Sequence, residues 1–399
     1  MQWMMQIRIF ILLLFIPLIK IEAQLSSFDY NGYAKYLFSS TRFPDTEERY
    51  SDHLLHARLN TRWYPTEALT AALELRFRTF YGETIENTSN YIDFIKTPRD
   101  WVRLDAVLWD EDKSIGYLEV DRLWFNWIKD DFEMTMGRQR IAWGTAWVWN
   151  PTDLFNPLNV LDFDYEELPA VDAVRVQYYT GAVTKVEAGY KPAKEKKNTI
   201  LAGLWSINSF NYDFNIIGGM RDERWVFGGS WVGDIYSAGF RGEITVSEEP
   251  NSMFTNSRYE DLGEESLSSF DKPVVAIALS ADYTFPNTFY IHTEMLYNNN
   301  GKTENTFIFF EEALSIGMLS PARWSIYQEF SYDITPLLRG SLFGIFNPDD
   351  CSYVIVPSVT YSIVTNLDLL LIAQVFEGDP LTEFGEFGSS FYFRLKFSY

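Results

Sequence analysis

The chain ends in SSFYFRLKFSY, residues 389–399, which gives the clearest indication of the fold. Apolar and polar side chains alternate along it, and the final residue is aromatic. One face carries Phe391, Phe393, Leu395, Phe397 and Tyr399. The other face includes Arg394 and Lys396. Because successive side chains of a strand point to opposite faces, this pattern predicts a β-strand with one apolar face and one charged face.

The same alternation recurs along the chain, for example in HLLHARLNTRW (53–63), LTAALELRFRTF (69–80) and IYSAGFRGEITV (235–246). A sheet in a soluble protein seldom directs Arg and Glu into its core. A membrane-spanning barrel, by contrast, has an apolar outer face and a polar interior. The charged residues that we expect to face this interior are Arg58, Arg62, Glu74, Arg76, Arg78, Arg175, Arg241, Glu243, Glu294 and Arg394.

The connections between the expected strands alternate between short and long ones. Short turns fall near 64–66, 129–130, 208–209, 233–234, 286–287, 334–336 and 365–366, and longer links near 39–51, 81–114, 141–170, 248–271, 299–322 and 377–388. Membrane barrels have short periplasmic turns and longer external loops. We therefore predict an all-β fold, a closed transmembrane antiparallel β-barrel of about 18 strands with both termini in the periplasm. A count of about 16 stays open, because the alternation is weaker in a few of the strands.

Residues 1–23 have the pattern of a secretory signal peptide. Arg8 supplies positive charge, an apolar run follows, and Ala23 ends the segment with a small residue, as cleavage requires. The apolar run is shorter than the roughly 20 residues of a spanning helix. We therefore predict cleavage after Ala23 and one barrel domain over residues 24–399, with a retained N-terminal anchor as the alternative.

Composition narrows the classes of function. Aromatic residues make up 17% of the chain, which is high for a soluble domain. Cys351 is the only cysteine, so no disulfide bond can form within the chain. The formal net charge of −22 argues against nucleic acid as a partner.

Sequence motifs for catalysis or for cofactor binding are weak. Of the histidines, the expected register directs His53 to lipid and only His56 and His292 into the barrel. We find no Gly-x-Ser-x-Gly motif, paired-histidine motif, phosphate loop or EF-hand spacing in the sequence. We therefore expect a protein that is not an enzyme and that needs no cofactor and no metal.

The stretch RIAWGTAWVWNPTDLFNP, residues 140–157, is too rich in tryptophan for an ordinary exposed loop. Trp143, Trp147 and Trp149 would leave much apolar area in water, at about 25 cal/mol per Å². Its two Asn-Pro steps favour turns over a regular strand or helix. We therefore expect the stretch to fold inward and to pack against the inner barrel wall.

The side chains of this link are the candidates for a pore constriction. They are Arg138, Arg140, Trp143, Trp147, Trp149, Asp153, Asp162, Asp164, Glu166 and Glu167. We expect the two arginines of this set to pair with its aspartates. Three roles stay open for the link: a constriction loop, a structural plug and a surface that binds a partner.

The pattern of charges suggests a preference for certain solutes. In each case a purely structural role is the alternative. Acidic residues cluster in the links 141–170, 248–271 and 377–388, and an acidic rim would attract cations over about 8–10 Å at physiological salt. The alternative is a solvated rim that only prevents aggregation. Opposed basic and acidic side chains inside the barrel would favour dipolar or zwitterionic solutes, unless they are simply cross-strand salt bridges.

The last strand resembles the closing strand of bacterial outer-membrane β-barrels. In that class the C-terminal aromatic residue, here Tyr399, is an assembly signal. The resemblance implies insertion by the barrel-assembly machinery and contact with outer-membrane lipid and lipopolysaccharide.

A second resemblance covers about 45 residues, from Gly137 to Gly181. This region is similar to a motif of porin-like outer-membrane proteins of Gram-negative bacteria, a group of largely unassigned substrate. It contains Gly-Arg-Gln, an aromatic-glycine pair, Asn-Pro-x-Asp and then an acidic stretch. By strand order it is the third external link, which in general porins folds into the lumen and narrows it.

Together these observations predict an outer-membrane channel for the passive diffusion of small polar solutes. The expected channel is cation-biased and is narrowed by the link 141–170. The alternative is a plugged barrel that acts in the binding, assembly or export of polysaccharide or lipid. Nothing in the sequence marks an interface between copies of the chain.

Overall fold

Long antiparallel strands build the wall, as the alternation predicts. The structure is a computed structural model, and it describes residues 27–44, 48–96, 101–156, 169–249 and 272–399. The strands are β1 Phe28–Arg42, β2 Arg49–Thr66, β3 Leu69–Gly82, β4 Asp105–Glu111, β5 Ser114–Lys129, β6 Phe132–Gln139, β7 Val171–Tyr179, β8 Lys185–Lys191, β9 Ile200–Ser209, β10 Tyr212–Arg221, β11 Arg224–Ile235, β12 Ala238–Ser247, β13 Val274–Thr284, β14 Tyr290–Asn298, β15 Trp324–Thr335, β16 Leu338–Phe346, β17 Tyr353–Val364, β18 Leu367–Glu377 and β19 Ser389–Ser398.

Several expectations fall on residues outside this description. They concern the signal peptide 1–23, most of the acidic link 248–271, and the side chains of Asp162, Asp164, Glu166 and Glu167. These expectations stay predictions from the sequence.

The sheet closes on itself. Each wall strand pairs with the next one along the chain, and β1 pairs with β19. β4 is an exception, because β3 pairs directly with β5 and β4 only adds a short hairpin arm to the external half of β5. Eighteen strands therefore form a closed antiparallel barrel, and the predicted architecture and strand count are confirmed.

Short turns and long links alternate as predicted, except that the external link between β10 and β11 is the two-residue turn Asp222-Glu223. Two of the short turns, Phe210-Asn211 and Tyr236-Ser237, have positive φ at both residues, which is the geometry of tight hairpin turns. The long links contain the short helices α1 Glu83–Asn87, α2 Tyr91–Ile95 and α3 Phe310–Ser315, and two 3-10 turns at Lys196–Asn198 and Thr306–Phe309. Within the described ranges, no helix is long and apolar enough to cross a bilayer.

The wall strands separate apolar from polar side chains. On β12, Ile244 and Val246 are exposed on the outer face, whereas Glu243 and Thr245 are buried on the inner face. A closed sheet leaves no strand edge, so lipid meets an apolar surface with its backbone groups already paired.

The terminal aromatic residue packs across the seam of the barrel. The backbone of Tyr399 exchanges two hydrogen bonds of 3.0 Å with Gly32 on β1, and its hydroxyl donates to the carbonyl oxygen of Arg58 on β2 at 3.1 Å. A Cβ atom on Gly32 would lie 2.7 Å from the Tyr399 hydroxyl oxygen, so glycine is needed under the ring. The last side chain of the protein thus spans the three strands that meet at the closure.

Candidate functional site

Residues 141–156, called the inner segment below, lie against the inner wall of the barrel. The segment follows β6 and therefore belongs to the link between the fifth and sixth wall strands, as predicted. At its two ends, Trp143 and Phe155 meet edge to face, with ring centroids 5.1 Å apart. Both rings join an apolar cluster with inward residues of β7 to β11, including Ala202 and Ile217.

The middle of the inner segment packs on the other side of the barrel. Val148 and Trp149 are buried in a cluster formed by inward residues of β13 to β18, such as Leu296 and Val354. Phe384, from the last external link, completes this cluster. The inner segment therefore contacts wall strands from both halves of the barrel.

Glu243 on β12 binds the inner segment at residues 145–146 and at Thr152. Its carboxylate accepts hydrogen bonds from the backbone N–H groups of Thr145, Ala146 (2.8 Å) and Thr152 (2.9 Å). The hydroxyl of Thr152 donates to the same carboxylate at 2.6 Å. Glu243 is fully buried and has therefore lost its hydrating water. These four donors take the place of that water.

Glu294 on β14 holds the other end in the same way. It accepts from the backbone N–H groups of Trp147 (3.2 Å), Val148 (3.2 Å) and Trp149 (2.6 Å). Glu187 on β8 adds a third contact by accepting from the indole N–H of Trp143 at 2.7 Å. Three wall carboxylates thus fix the position of the inner segment.

Trp147 differs from its two neighbours. Trp143 and Trp149 are buried as expected, but the side chain of Trp147 is 57% exposed. Arg241 stacks over its ring at 4.5 Å from the centroid, and the guanidinium also pairs with Asp282 at 2.8 Å. The indole N–H also approaches Asp282 at 3.4 Å, so the ring lies beside charged groups of β12 and β13 and not within the apolar cluster.

Asp153 is buried within the inner segment. The backbone N–H of Trp143 donates to its carboxylate, while its Oδ1 has no hydrogen-bond partner in the described part of the chain. Burial raises the pKa of Asp153 to about 7, and the charge of Glu243 acts in the same direction. Arg140 is exposed and opposes this rise through its charge.

Arg138 lies outside the lumen, contrary to the expectation that it helps to form the constriction. At the external end of β6 it faces Leu123 of β5 and Asp172 of β7, and it lies on the same outward face as the exposed Met136. Its guanidinium binds Asp172 at 2.8 Å and the carbonyl of Val102. Asp172 is its direct cross-strand neighbour, and the expected pairing with Asp162 or Asp164 concerns residues outside the description and stays a prediction.

The charged residues that were expected to face inward all lie on the inner face. They are Arg58, Arg62, Glu74, Arg76, Arg78, Arg175, Arg241, Glu243, Glu294 and Arg394. Those on β2 and β3 join a buried network with β5. Arg58 binds Glu74 and, at 2.7 Å, Asp121, and Arg76 binds Glu119 at 2.6 Å.

Three members of this network, Glu119, Asp121 and Arg122, were not among the predicted site residues. The register between β3 and β5 shifts at Glu74, which places Asp121 and Arg122 on the same inner face although they are adjacent in sequence. A bulge of this kind breaks strict alternation, so the period of two could not assign both residues. The sequence did offer one indication of the bulge, because the adjacent charged residues Asp121 and Arg122 lie between the apolar residues Val120 and Leu123.

A polar cavity of about 480 Å³ opens beside this network. Arg62, Arg122, Arg140 and Arg175 line it together with Glu74 and Glu133. Roughly halfway round the barrel, β12 to β15 contribute Glu243, Asp282, Glu294 and Glu329 instead. The interior is therefore predominantly basic on one side and acidic on the other.

His292 contacts both a serine and a glutamate inside the barrel. Its Nε2 lies 2.9 Å from the Ser280 hydroxyl and 3.4 Å from Glu294, and its Nδ1 lies 3.9 Å from Glu329. The last distance is beyond hydrogen-bond range, and Ser280 is buried. The geometry fits a packed polar contact better than a nucleophile with its base.

Comparison with known proteins gives a likeness of fold. No protein-family model matches the chain, and no curated protein matches it. OccAB4 of Acinetobacter baumannii superposes with a TM-score of 0.58 at 10% identity, over 94% of this chain and 99% of that one. OccAB3 of the same organism gives 0.56 at 9% identity, over 94% and 100%.

The outer membrane protein OprD from Pseudomonas aeruginosa gives a TM-score of 0.56 at 8% identity, over 95% of this chain and 96% of that one. These neighbours are outer-membrane porins. At such low identity the likeness concerns the fold and not the solute. The chain therefore has the fold of an outer-membrane porin, a closed antiparallel barrel of 18 strands.

Proposed function

We propose that the chain is an outer-membrane channel of a Gram-negative bacterium, through which small polar solutes diffuse passively, and that the inner segment narrows it. The observation that carries this proposal is the capture of six backbone N–H groups of the segment by Glu243 and Glu294. Hydrogen bonds to a charged acceptor contribute about 1.5–3 kcal/mol each. A segment held this way has a defined position, which a size-selective constriction requires.

The distribution of charge supports a preference for dipolar solutes. Arginines surround the cavity beside β2 to β7, and carboxylates such as Asp282 and Glu329 lie roughly opposite. A zwitterion that crosses this field can direct its two charges to opposite walls. The acidic links at the external rim support a cation bias, which is part of the same proposal.

A plugged barrel is the second candidate, and burial inside the lumen favours it. The side chains of Arg58 and Asp121 are wholly inaccessible, and Glu243 and Glu294 are fully buried. Charged groups that line a wide aqueous pore would be hydrated instead. In this second candidate the barrel binds, assembles or exports polysaccharide or lipid, and the inner segment blocks passage.

An enzymatic role receives little support. The contact of Ser280 with His292 lacks an accessible nucleophile, and Glu294 also approaches the Nε2 atom of the histidine. We therefore propose that His56 and His292 have structural roles. The proposal also includes insertion through the strand that ends at Tyr399, and contact of the apolar belt with lipid and lipopolysaccharide.

Planar-bilayer recording of the refolded protein tests the proposal. The wild type is compared with a variant in which a Gly-Ser linker replaces residues 143–156, and with Asp333→Ala, a lumen-facing carboxylate at the periplasmic end that does not contact the inner segment. A channel narrowed by the segment gives a small conductance that rises severalfold when the segment is removed. The control keeps the wild-type conductance.

Two other outcomes would decide against this reading. A silent wild type with a conducting deletion variant would indicate the plugged barrel. Equal conductances in both proteins would show that the inner segment is not the constriction. Reversal potentials across a salt gradient then test the cation bias, which fails if anions carry the larger share of the current.

A further inference from the structure

The last external link, residues 378–388, contains a buried carboxyl that resembles Asp153 of the inner segment. Glu383 accepts a hydrogen bond from the hydroxyl of Ser320 at 2.7 Å, and the side chain of Asn347 also lies beside its carboxylate. Its backbone N–H donates to Asp350 at 2.8 Å, which places another carboxylate beside it. Like Asp153 in the inner segment, Glu383 is thus a buried carboxyl with an acidic neighbour.

The two segments that carry these carboxyls pack together. Phe384 of the last link shares an apolar cluster with Val148 and Trp149 of the inner segment. The same link contacts the segment before β15, where the backbone N–H of Phe307 donates to the carbonyl of Leu381 at 3.1 Å. A change at either carboxyl therefore acts on one continuous packed unit inside the mouth of the barrel.

Electrostatics favours the neutral form of both groups. Burial raises the pKa of Asp153 to about 7, with the Glu243 carboxylate adding to the effect and Arg140 and Arg221 opposing it. Burial likewise raises the pKa of Glu383 to about 8; Asp350 acts in the same direction, and the hydrogen bonds from Ser320 and Asn347 oppose the rise. A proton on each group removes the cost of a buried charge beside another carboxylate.

We propose that the inner segment and the last external link form a proton-dependent closure of the channel. With Asp153 and Glu383 protonated, both segments are held against the wall and the passage is narrow. Loss of these protons loosens them and widens the passage. This inference rests on the proposed channel function, because the closure would regulate that channel.

The direction of the pH effect follows from the linkage between proton binding and docking of the segments. A released carboxyl titrates near its ordinary pKa of about 4, whereas the docked one keeps its proton to higher pH. For Asp153, docking is fully supported below about pH 4, weakens as the pH rises to about 7, and is then constant. The rise of about three units corresponds to at most about 1000-fold in the docking equilibrium. The window for Glu383 extends to about pH 8.

A third titratable group touches the same machinery and must be separated from these two. His292 lies 3.4 Å from Glu294, one of the carboxylates that hold the inner segment. A change at His292 would also alter the anchor, by a route that does not involve Asp153 or Glu383. The variant His292→Gln isolates this contribution.

The docking itself can be measured without any current. We would introduce Ala146→Cys into a Cys351→Ser background and follow its reaction with a membrane-impermeant maleimide between about pH 5 and about pH 8.5. The rates are divided by those of Ser237→Cys, on an exposed turn, which removes the intrinsic pH dependence of thiol reactivity. Heat-modifiable migration on a gel confirms that each variant is folded.

We expect the normalised rate to rise by at least about tenfold across this range in the parent protein. The rise should persist in His292→Gln and disappear in the double variant Asp153→Asn with Glu383→Gln. A flat profile in the parent, a rise that survives in the double variant, or a rise abolished by His292→Gln would overturn the inference.

Bilayer current over the same pH range separates this inference from the proposed function. A current that increases with pH, and becomes constant in the double variant, supports both. A current that ignores pH while labelling depends on it would refute the closure and leave the channel standing. Protein that never conducts but still shows pH-dependent labelling would refute the channel function, and the proton-dependent docking would stand.

Discussion

On the β2–β5 wall, Glu74 and Asp121 share the guanidinium of Arg58, whereas on the β12–β14 wall Glu243 and Glu294 accept hydrogen bonds from the backbone of the inner segment. Both sets of carboxylates are buried. The first set is satisfied within the wall, so its hydrogen bonds stabilise the barrel. The second set is satisfied by a separate piece of chain, so its hydrogen bonds fix where that piece lies. The same side-chain type therefore contributes to stability on one wall and to the position of the inner segment on the other.

The largest effect on stability is expected at Arg58. The change Arg58→Ala leaves Glu74 and Asp121 buried without their cation, which costs about 3–5 kcal/mol of the free energy of unfolding. Urea unfolding in lipid vesicles measures this loss. Arg339→Ala is the control, because Arg339 pairs with Asp333 at an exposed position and should cost less than about 1 kcal/mol. Equal losses for the two variants would mean that the buried network does not hold the wall.

Next in size is Trp149. Trp149→Ala removes a buried ring from the cluster around Phe384 and should weaken docking of the inner segment by about 3–5 kcal/mol. Limited proteolysis measures docking, and cleavage within residues 141–156 should become faster while the unfolding midpoint of the barrel stays close to that of the wild type. Unchanged cleavage would show that the ring is not what holds the segment.

A smaller effect is expected from Glu243→Gln. The amide keeps the shape of the side chain and one acceptor oxygen but loses the negative charge, so docking should weaken by about 1.5–3 kcal/mol, the contribution of one hydrogen bond to a charged acceptor. Labelling at Ala146→Cys reports this change directly. If labelling stays as slow as in the parent, the carboxylate charge is not needed to hold the backbone.

The smallest effect on stability is expected from Trp147→Ala. The ring is mostly exposed, and its contact with Arg241 is worth about 0.5–1 kcal/mol. The barrel and the docked segment should both persist, while the conductance for small ions increases because the indole no longer projects from the segment. A docking defect as large as that of Trp149→Ala would contradict this distinction between the two tryptophans.

Sequence reasoning predicted most of the barrel because each wall strand has its own period of two. The charged positions on β2, β3, β12 and β14 follow from that period alone. It did not predict β4, which pairs only with β5 and is not one of the strands of the barrel wall. It could not place Asp121 and Arg122, since a bulge shifts the register between them.

The interior contacts were harder to predict for a physical reason. Glu243 and Glu294 were expected to face inward, but their partners are backbone N–H groups, which leave no signature in the sequence. The exposure of Trp147 was missed because burial depends on which way the link turns after Gly144. Arg138 was wrongly assigned to the lumen, because it lies on β6 with the outward-facing Met136 and binds its outward cross-strand neighbour Asp172.

The central claim is that Glu243 and Glu294 position the inner segment as the constriction of a channel. The most direct test is the single-channel conductance of the double variant Glu243→Ala with Glu294→Ala, beside the wild type and Asp333→Ala. We predict that the double variant approaches the conductance of the protein that lacks residues 143–156, while Asp333→Ala stays at the wild-type value. A double variant that folds and conducts as the wild type does would contradict the account.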